Sequence, residues 1–255
     1  FVLLIVETGI RTVARWRAIA TGLSILGWIL AFSDARAAAP TLDQLFPVVV
    51  QIGSTQSVTL VGKFDPWPPR LWCDSPAVHF DVPTNSGPCR VAVDRDAKPG
   101  AYLVRARNDD GASAPRFLLL EAERAIDEIE PNDEFRKPQV LTNLPVSLNG
   151  RLEKSGDVDS YSVAVEAGQT LVASLQGYVF QSPFDGVLRI VDERGVQMAW
   201  NHDDGRTLDP LVSFTARTAG RYVVQVFGFE HPANSDVRFG GNSKCVYQIG
   251  RASCR

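Results

Sequence analysis

The chain has 255 residues, 45% of them hydrophobic and 22% charged, with 26 basic against 29 acidic side chains and a formal net charge of −3. That is material for one or two hydrophobic cores in an ordinary soluble protein. Outside the N-terminal segment no Lys/Arg-rich run occurs, which argues against a nucleic-acid partner.

In chain order, "RTVARWR" places three arginines ahead of the 15-residue apolar stretch "AIATGLSILGWILAF", and "SDARAAAP" follows. A basic region, a short apolar region and a small-x-small site at Ala35-Arg36-Ala37 describe a secretory signal peptide over residues 1–37, cut near Ala37. A membrane anchor is the competing reading, and the stretch is shorter than the ~20 residues a bilayer requires. The preceding "FVLLIVETGI" looks like a non-native extension, because the single Met is Met198. Without residues 1–37 there remain 22 basic and 27 acidic side chains, a charge of −5. An acidic exported protein suits divalent cations better than polyanions.

Residues 40–123 read as short alternating runs broken by turns. "QSVTLVGKF" alternates Val58 and Leu60 with polar neighbours, and "CRVAVDRDAKPGAYLVRARNDDGAS" gives strand, Lys-Pro-Gly turn, strand and Asp-Asp-Gly turn. Period two with turn residues at intervals of roughly 8–12 predicts an antiparallel sandwich. Cys73 and Cys89 enclose a segment rich in Pro and Gly, and export permits a bridge between them that closes that loop. Cys245 and Cys254 are left unassigned. The aromatics of "KFDPWPPRLW" and "GYVFQSPF" (Trp67, Trp72, Tyr178, Phe180, Phe184) either cap the sandwich cores or offer stacking faces to a sugar or polypeptide. Capping is the expectation, above all for Trp72 beside Cys73.

The stretch "EAERAIDEIEPNDEF" is charged, interrupted by Pro131, and holds seven acids between Glu121 and Glu134 against Arg124. It reads as the joint between two modules. From about Ile129 the strand grammar resumes: "DSYSVAVEAGQTLVASLQG", "GVLRIVDERGVQMAWNHDDG" and "PLVSFTARTAGRYVVQVFGF" are each two strands around a small turn. The expectation is therefore all-β, two β-sandwich modules following a signal peptide.

The run from "EIEPNDEFRKPQVL" through "GDVDSYSVAVEAGQTLVASLQG" and "FDGVLRIVDERGVQMAWNHDDG" to "AGRYVVQVFGF" closely resembles the bacterial pre-peptidase C-terminal (PPC) domain, over about residues 126–249. That resemblance implies a jelly-roll-like β-sandwich over 124–249, similar to the collagen-binding modules of bacterial collagenases. The upstream module looks like the immunoglobulin-like domain that precedes PPC domains in large secreted proteins of environmental, planctomycete-like bacteria. The family's later strands look cut short after "CVYQI", as in a piece of a longer protein, and residues 250–255, "GRASCR", look like a non-native tail.

Two acidic groups carry the chemistry. "EIEPND" offers Glu128, Glu130, Asn132 and Asp133 within six positions, and "GDVD" offers Asp157 and Asp159 at the start of a strand. Residues two apart in an extended chain point the same way, so each group can converge. Ca²⁺ takes six to eight oxygens from carboxylates, carbonyls and water, which this set supplies. The resemblance adds that related collagen-binding modules bind calcium through this linker and an Asp-containing turn. The competing reading is a linker-docking device in which Asn132 and Asp133 make turn hydrogen bonds. "NHDDGRTLD" gathers Asn201, Asp203, Asp204 and Asp209 as a second possible cation loop, but a turn is the expectation there, since Asp-Gly is a standard hairpin signal, and Asp185 in "PFDGVL" reads the same way.

His79, His202 and His231 are scattered, with no H-E-x-x-H, G-x-S-x-G elbow or Walker loop in the chain. The reading is a secreted or cell-surface, non-catalytic binding or targeting module with an extracellular protein or polysaccharide partner and Ca²⁺ at the linker. The alternatives are an accessory fragment of a secreted protease and a structural spacer of a large surface protein.

Overall fold

The computed structural model describes residues 38–235 and 238–254, with side chains through 250. The expected signal peptide over 1–37 lies outside the described residues. Among the described residues no helix is long and apolar enough to cross a membrane.

Eight strands build the first pair of sheets: β1 (Thr41–Phe46), β2 (Val49–Gln51), β3 (Thr55–Lys63), β4 (Arg70–Cys73), β5 (Val78–Asp81), β6 (Cys89–Val93), β7 (Gly100–Arg107) and β8 (Arg116–Glu121). One sheet has the order β1-β3-β6-β5 and the other β2-β8-β7-β4. Period-two patterning places Val91, Val93, Val104, Ala106, Leu118 and Leu120 between them. The same alternation decides the aromatics of β4. Leu71 and Cys73 face the core while Trp72 points outward, 46% exposed, so Trp72 does not cap the core as expected. Trp67 is half-buried and reaches the core only through Phe64, which its ring meets edge-on at 5.8 Å, while its Nε1–H donates to Pro83 O at 2.8 Å.

The second pair comprises β9 (Ala125–Asp127), β10 (Gln139–Val140), β11 (Val146–Arg151), β12 (Asp159–Val165), β13 (Thr170–Gln176), β14 (Phe184–Val191), β15 (Gln197–Asn201), β16 (Leu211–Thr215), β17 (Gly220–Glu230) and β18 (Val246–Cys254). The orders are β10-β12-β17-β14-β15 and β16-β13-β18-β11-β9. Leu148, Tyr161, Val163, Leu171, Leu188, Val224 and Tyr247 fill the space between. Both short strands of the linker run parallel to their neighbours, β9 beside β11 and β10 beside β12, so the chain between modules is absorbed into the two sheets. The last strand does not stop after Ile249. It lies between β11 and β13, and with both edges paired the backbone ladder continues to Cys254.

The sandwiches meet through a small apolar cluster of Val48, Val49 and Phe180, with Phe117, Leu119 and Ala125 packed around it. Polar ties surround it. Val49 N donates to Asn149 Oδ1 at 2.9 Å while Asn149 Nδ2 donates to Val49 O at 3.2 Å. Gln44 Nε2 donates to Phe180 O at 3.0 Å, Gln248 Nε2 to Glu121 Oε1 at 2.8 Å, and Lys244 Nζ pairs with Asp43 Oδ2 at 2.8 Å. These contacts, rather than the acidic stretch, join the modules.

The expected Cys73–Cys89 bridge is not formed: Cys73, Cys89 and Cys245 are free thiols. Cys73 ends an edge strand of one sheet and Cys89 begins an interior strand of the other. Each thiol is engaged locally. Cys73 Sγ accepts from Ser75 N at 3.5 Å, and Cys89 Sγ donates to Arg90 O at 3.4 Å. Burial raises both thiols to about 11.

Candidate acidic centre

Beyond β9 the chain is pinned to β11, because Glu128 N donates to Asn149 O at 2.8 Å and Arg151 N returns a bond to Glu128 Oε2 at 2.8 Å. Glu130 Oε2 accepts from Asn132 N at 3.1 Å, closing a turn that starts at Pro131. Asn132 O then accepts Ser160 N at 3.1 Å, bringing "EIEPND" against the first residues of β12. The two acidic groups, some two dozen positions apart in sequence, therefore meet in space.

One carboxylate oxygen from each of Glu128, Glu130 and Asp159 lies within 4.8 Å of the others. At that separation two unit charges repel by about 3 to 4 kcal/mol at an effective dielectric constant near 20. Asp157 and Asp159 are 0% exposed and Asn132 is 1% exposed, so water does not screen them freely. Asp159 Oδ2 accepts from the Tyr247 hydroxyl at 2.5 Å, which in turn lies 2.7 Å from the Tyr161 hydroxyl. Asp157 Oδ2 accepts from Glu153 N at 2.5 Å. Lys154 Nζ bridges the remaining pair, 3.2 Å from Asp133 Oδ1 and 3.4 Å from Asp157 Oδ1. The Arg151 guanidinium points away, to Glu153 and over the Phe46 ring at 4.6 Å.

Several polar atoms in this centre are buried with no hydrogen-bond partner: Glu130 Oε1, both side-chain polar atoms of Asn132, and Asp159 Oδ1. Asp157 Oδ1 also accepts no hydrogen bond and has the Lys154 ammonium as its neighbour. Titration behaviour follows. Burial pushes Glu128 up to about 8, opposed by the Arg151 N–H and reinforced by Glu130. Burial and the Glu128 charge push Asp159 up to about 9. Burial raises Asp157 as well, while Asp133, accepting from the Asp157 carboxyl and from Lys154, is held below the ordinary carboxylate value. A cleft of about 800 Å³, lined by Glu128, Ile129, Glu130, Pro131 and Gln139, opens beside the cluster.

Of the six side chains expected from the sequence, Glu128, Glu130 and Asp159 converge, Asn132 is bonded to Glu130, and Asp133 and Asp157 are joined through Lys154. Tyr161 and Tyr247, which organise Asp159, and Lys154 carry no such signal in the sequence. Alternation marks Tyr161 only as a strand residue of β12, whereas Tyr247 lies 88 residues from Asp159 along the chain and only the strand order brings it near. Gly150 makes room for it, since a Cβ there would fall 2.1 Å from the Tyr247 ring.

The second loop behaves differently. Asp204 Oδ1 accepts Arg206 N and Thr207 N at 2.7 Å each, the Asp209 carboxylate accepts Gly177 N, Tyr178 N and Val179 N, and Asn201 Nδ2 donates to Leu211 O at 2.6 Å. Backbone groups thus consume three of the four residues, and Asn201, Asp203, Asp204 and Asp209 do not converge as one cation loop. Of the other aromatics, Phe180 and Phe184 are buried and Tyr178 is 43% exposed. His79 pairs with Asp94 at 3.1 Å and the His231 ring meets Tyr178 edge-on at 5.4 Å.

No family model matches the chain, and no curated protein does. Among solved structures it is similar to PliG of Aeromonas hydrophila, a periplasmic lysozyme inhibitor of g-type lysozyme, at 13% identity over 52% of this chain and 98% of that one, with a TM-score of 0.31. It is also similar to SGBP-B of the Bacteroides ovatus mixed-linkage glucan utilization locus, in complex with mixed-linkage heptasaccharide, at 8% identity over 74% of each chain, with a TM-score of 0.26. A structure of carbohydrate-binding modules from the β-sandwich superfamily is similar at 10% identity over 86% of this chain and 98% of that one, with a TM-score of 0.25.

Proposed function

We propose that this chain is an exported, non-catalytic binding or targeting module, an immunoglobulin-like sandwich followed by a PPC-type sandwich. In this reading Glu128, Glu130, Asn132, Asp133, Asp157 and Asp159 form a Ca²⁺ centre that fixes the acidic segment to the second sandwich. The observation that carries it is the set of buried oxygens without hydrogen-bond donors: Glu130 Oε1, Asn132 Oδ1, Asp157 Oδ1 and Asp159 Oδ1. Buried acceptors of this kind cost about 1–3 kcal/mol each when unsatisfied. A hard dication that takes six to eight oxygens satisfies them and cancels the repulsion among the carboxylates. Asp133 stands at the rim, engaged by Lys154, and contributes charge more than a ligand.

The centre lies wholly on the second sandwich, so calcium here would hold residues 128–133 in place and leave the inter-module contacts untouched. Binding of an extracellular protein or polysaccharide would fall to outward-facing side chains such as Trp72, Met198 and Trp200, which are 46%, 41% and 59% exposed.

The test is a melting curve of the full chain in EDTA and in excess Ca²⁺. Saturation at about 100 times Kd stabilises by about 2.7 kcal/mol, which is about 5–10 °C for a protein of this size. Proteolysis within 128–133 slows in parallel, and Asp157→Asn blunts both effects. A melt indifferent to EDTA and calcium overturns the calcium centre.

A further inference from the structure

With Asn201, Asp204 and Asp209 committed to backbone groups, Asp203 turns instead toward its neighbour. His202 Nδ1 lies 3.5 Å from Asp203 Oδ2, and His202 Nε2 lies 3.1 Å from Asp185 Oδ2. One ligand atom from each of the three residues lies within 4.8 Å of the other two. Asp185 is fixed on β14, whose edges pair with β15 and β17, and its Oδ1 is buried with no hydrogen-bond partner. His202 and Asp203 follow the end of β15.

We propose that Asp185, His202 and Asp203 form a binding site for Zn²⁺, independent of the acidic centre at Glu128 and Asp159. The donor set selects the metal. One imidazole nitrogen with two carboxylate oxygens suits a borderline transition metal, whereas Ca²⁺ and Mg²⁺ prefer oxygen alone. Zinc bonds of about 2.0–2.2 Å in a tetrahedron set neighbouring ligand atoms about 3.3 Å apart, close to the 3.1 Å between His202 Nε2 and Asp185 Oδ2, while Asp203, which faces Nδ1 at 3.5 Å, has to turn toward the Nε2 side to reach the same ion. Charge favours the same occupant. A protonated imidazole balances only one of the two carboxylates, and a dication beside a neutral imidazole balances both. The hydrogen-bonded pair also leaves Asp185 Oδ1 unused, an acceptor that a metal shared across the carboxylate would satisfy. Three protein donors leave a fourth position for water. Asp203, alone of the three, also lines a surface pocket with Tyr178, Gly205, Arg206 and Thr207, which leaves its side of the site open to solvent.

The test is a calorimetric Zn²⁺ titration of the full chain in buffer holding excess Ca²⁺, with Co²⁺ absorption as a second readout. Wild type is expected to take one Zn²⁺ per chain and to give d–d bands with Co²⁺. His202→Ala and Asp185→Asn weaken Zn²⁺ binding by about 100-fold or more, Asp203→Asn by about 10-fold or more, and His202→Ala abolishes the Co²⁺ bands. The calcium-dependent melting shift stays as in wild type for all three, which separates this site from the acidic centre. Absence of Zn²⁺ binding in wild type overturns the proposal, as does binding of equal strength in His202→Ala. If His202→Ala fails to fold, Asp203→Asn on the exposed turn decides in its place, and an unchanged affinity there overturns the site.

Discussion

The Tyr247 hydroxyl donates to Asp159 Oδ2 at 2.5 Å, across 88 positions of sequence and with both side chains fully buried. This bond couples the acidic centre to the middle of the second core, because the Tyr247 ring also packs edge-on against Phe184 at 6.3 Å. Removing the donor leaves a buried acceptor unsatisfied, at a cost of about 1–3 kcal/mol. Tyr247→Phe is therefore expected to lower the urea unfolding free energy by about that amount with its m-value unchanged. Gly150→Ala, which drives a methyl into the same ring, is expected to cost about 3 kcal/mol or more. Wild-type stability in either variant would show that Tyr247 does not hold the centre in place.

The metal-free centre should make stability fall as pH rises. Asp159 is raised from 3.8 to about 9 and Glu128 from 4.5 to about 8, both chiefly by burial. Between those limits the folded chain holds protons that the unfolded chain has released, so the folded state is favoured fully below about pH 4. That advantage is lost progressively up to about pH 8–9. In EDTA, melting temperature is expected to decline from pH 5 to pH 8. With saturating Ca²⁺ the carboxylates ionise against the cation and the decline flattens or reverses. An EDTA profile that rises across this range would contradict the burial of these two acids.

How much of this could be read from the chain alone divides along a physical line. Alternation and turn residues are local, and they sufficed for the strands of the two sandwiches; that "EIEPND" and "GDVD" belong together was implied only by the family resemblance. Non-local facts were not legible. Tyr247 reaches Asp159 only because β18 is inserted between β11 and β13, and the inter-module tie from Asn149 to Val49 spans 100 positions. Where local signals compete, the structure decides. Asp204 and Asp209 had the residue type for a cation site, but nearby N–H groups claimed them first, while Asp185, read as a plain turn residue, faces His202 from the adjacent strand.

The free thiols lead to a direct measurement. Thiols raised to about 11 by burial carry roughly one thiolate in ten thousand molecules at pH 7. Cys73 and Cys89 are thus expected to resist a thiol reagent in the native state and to react at once in denaturant, without prior reduction. A bridge closing a loop of this length would contribute about 3 kcal/mol, so dithiothreitol is expected to leave the melting temperature unchanged. A drop on reduction would mean that the two cysteines pair after all.

Asn149 makes the most connected polar tie between the modules. Its amide supplies an acceptor and a donor to Val49 and a second donor to Asp127 Oδ1 at 3.0 Å, so three groups on two strands, β2 and β9, depend on one side chain. Val49 O retains Gln56 Nε2 at 3.1 Å, but Val49 N has no substitute. Asn149→Leu, similar in volume, leaves that buried N–H and the Asp127 carboxylate without a partner, at a cost of about 2–4 kcal/mol. The apolar contact that remains rests on Val48, Val49 and Phe180, too small a cluster to enforce cooperativity between two cores. Scanning calorimetry is therefore expected to show one transition for wild type and two for Asn149→Leu, the calcium-sensitive one belonging to the second sandwich. A single transition at the wild-type temperature would shift the weight of the joint to Gln44, Gln248 and the Lys244–Asp43 pair.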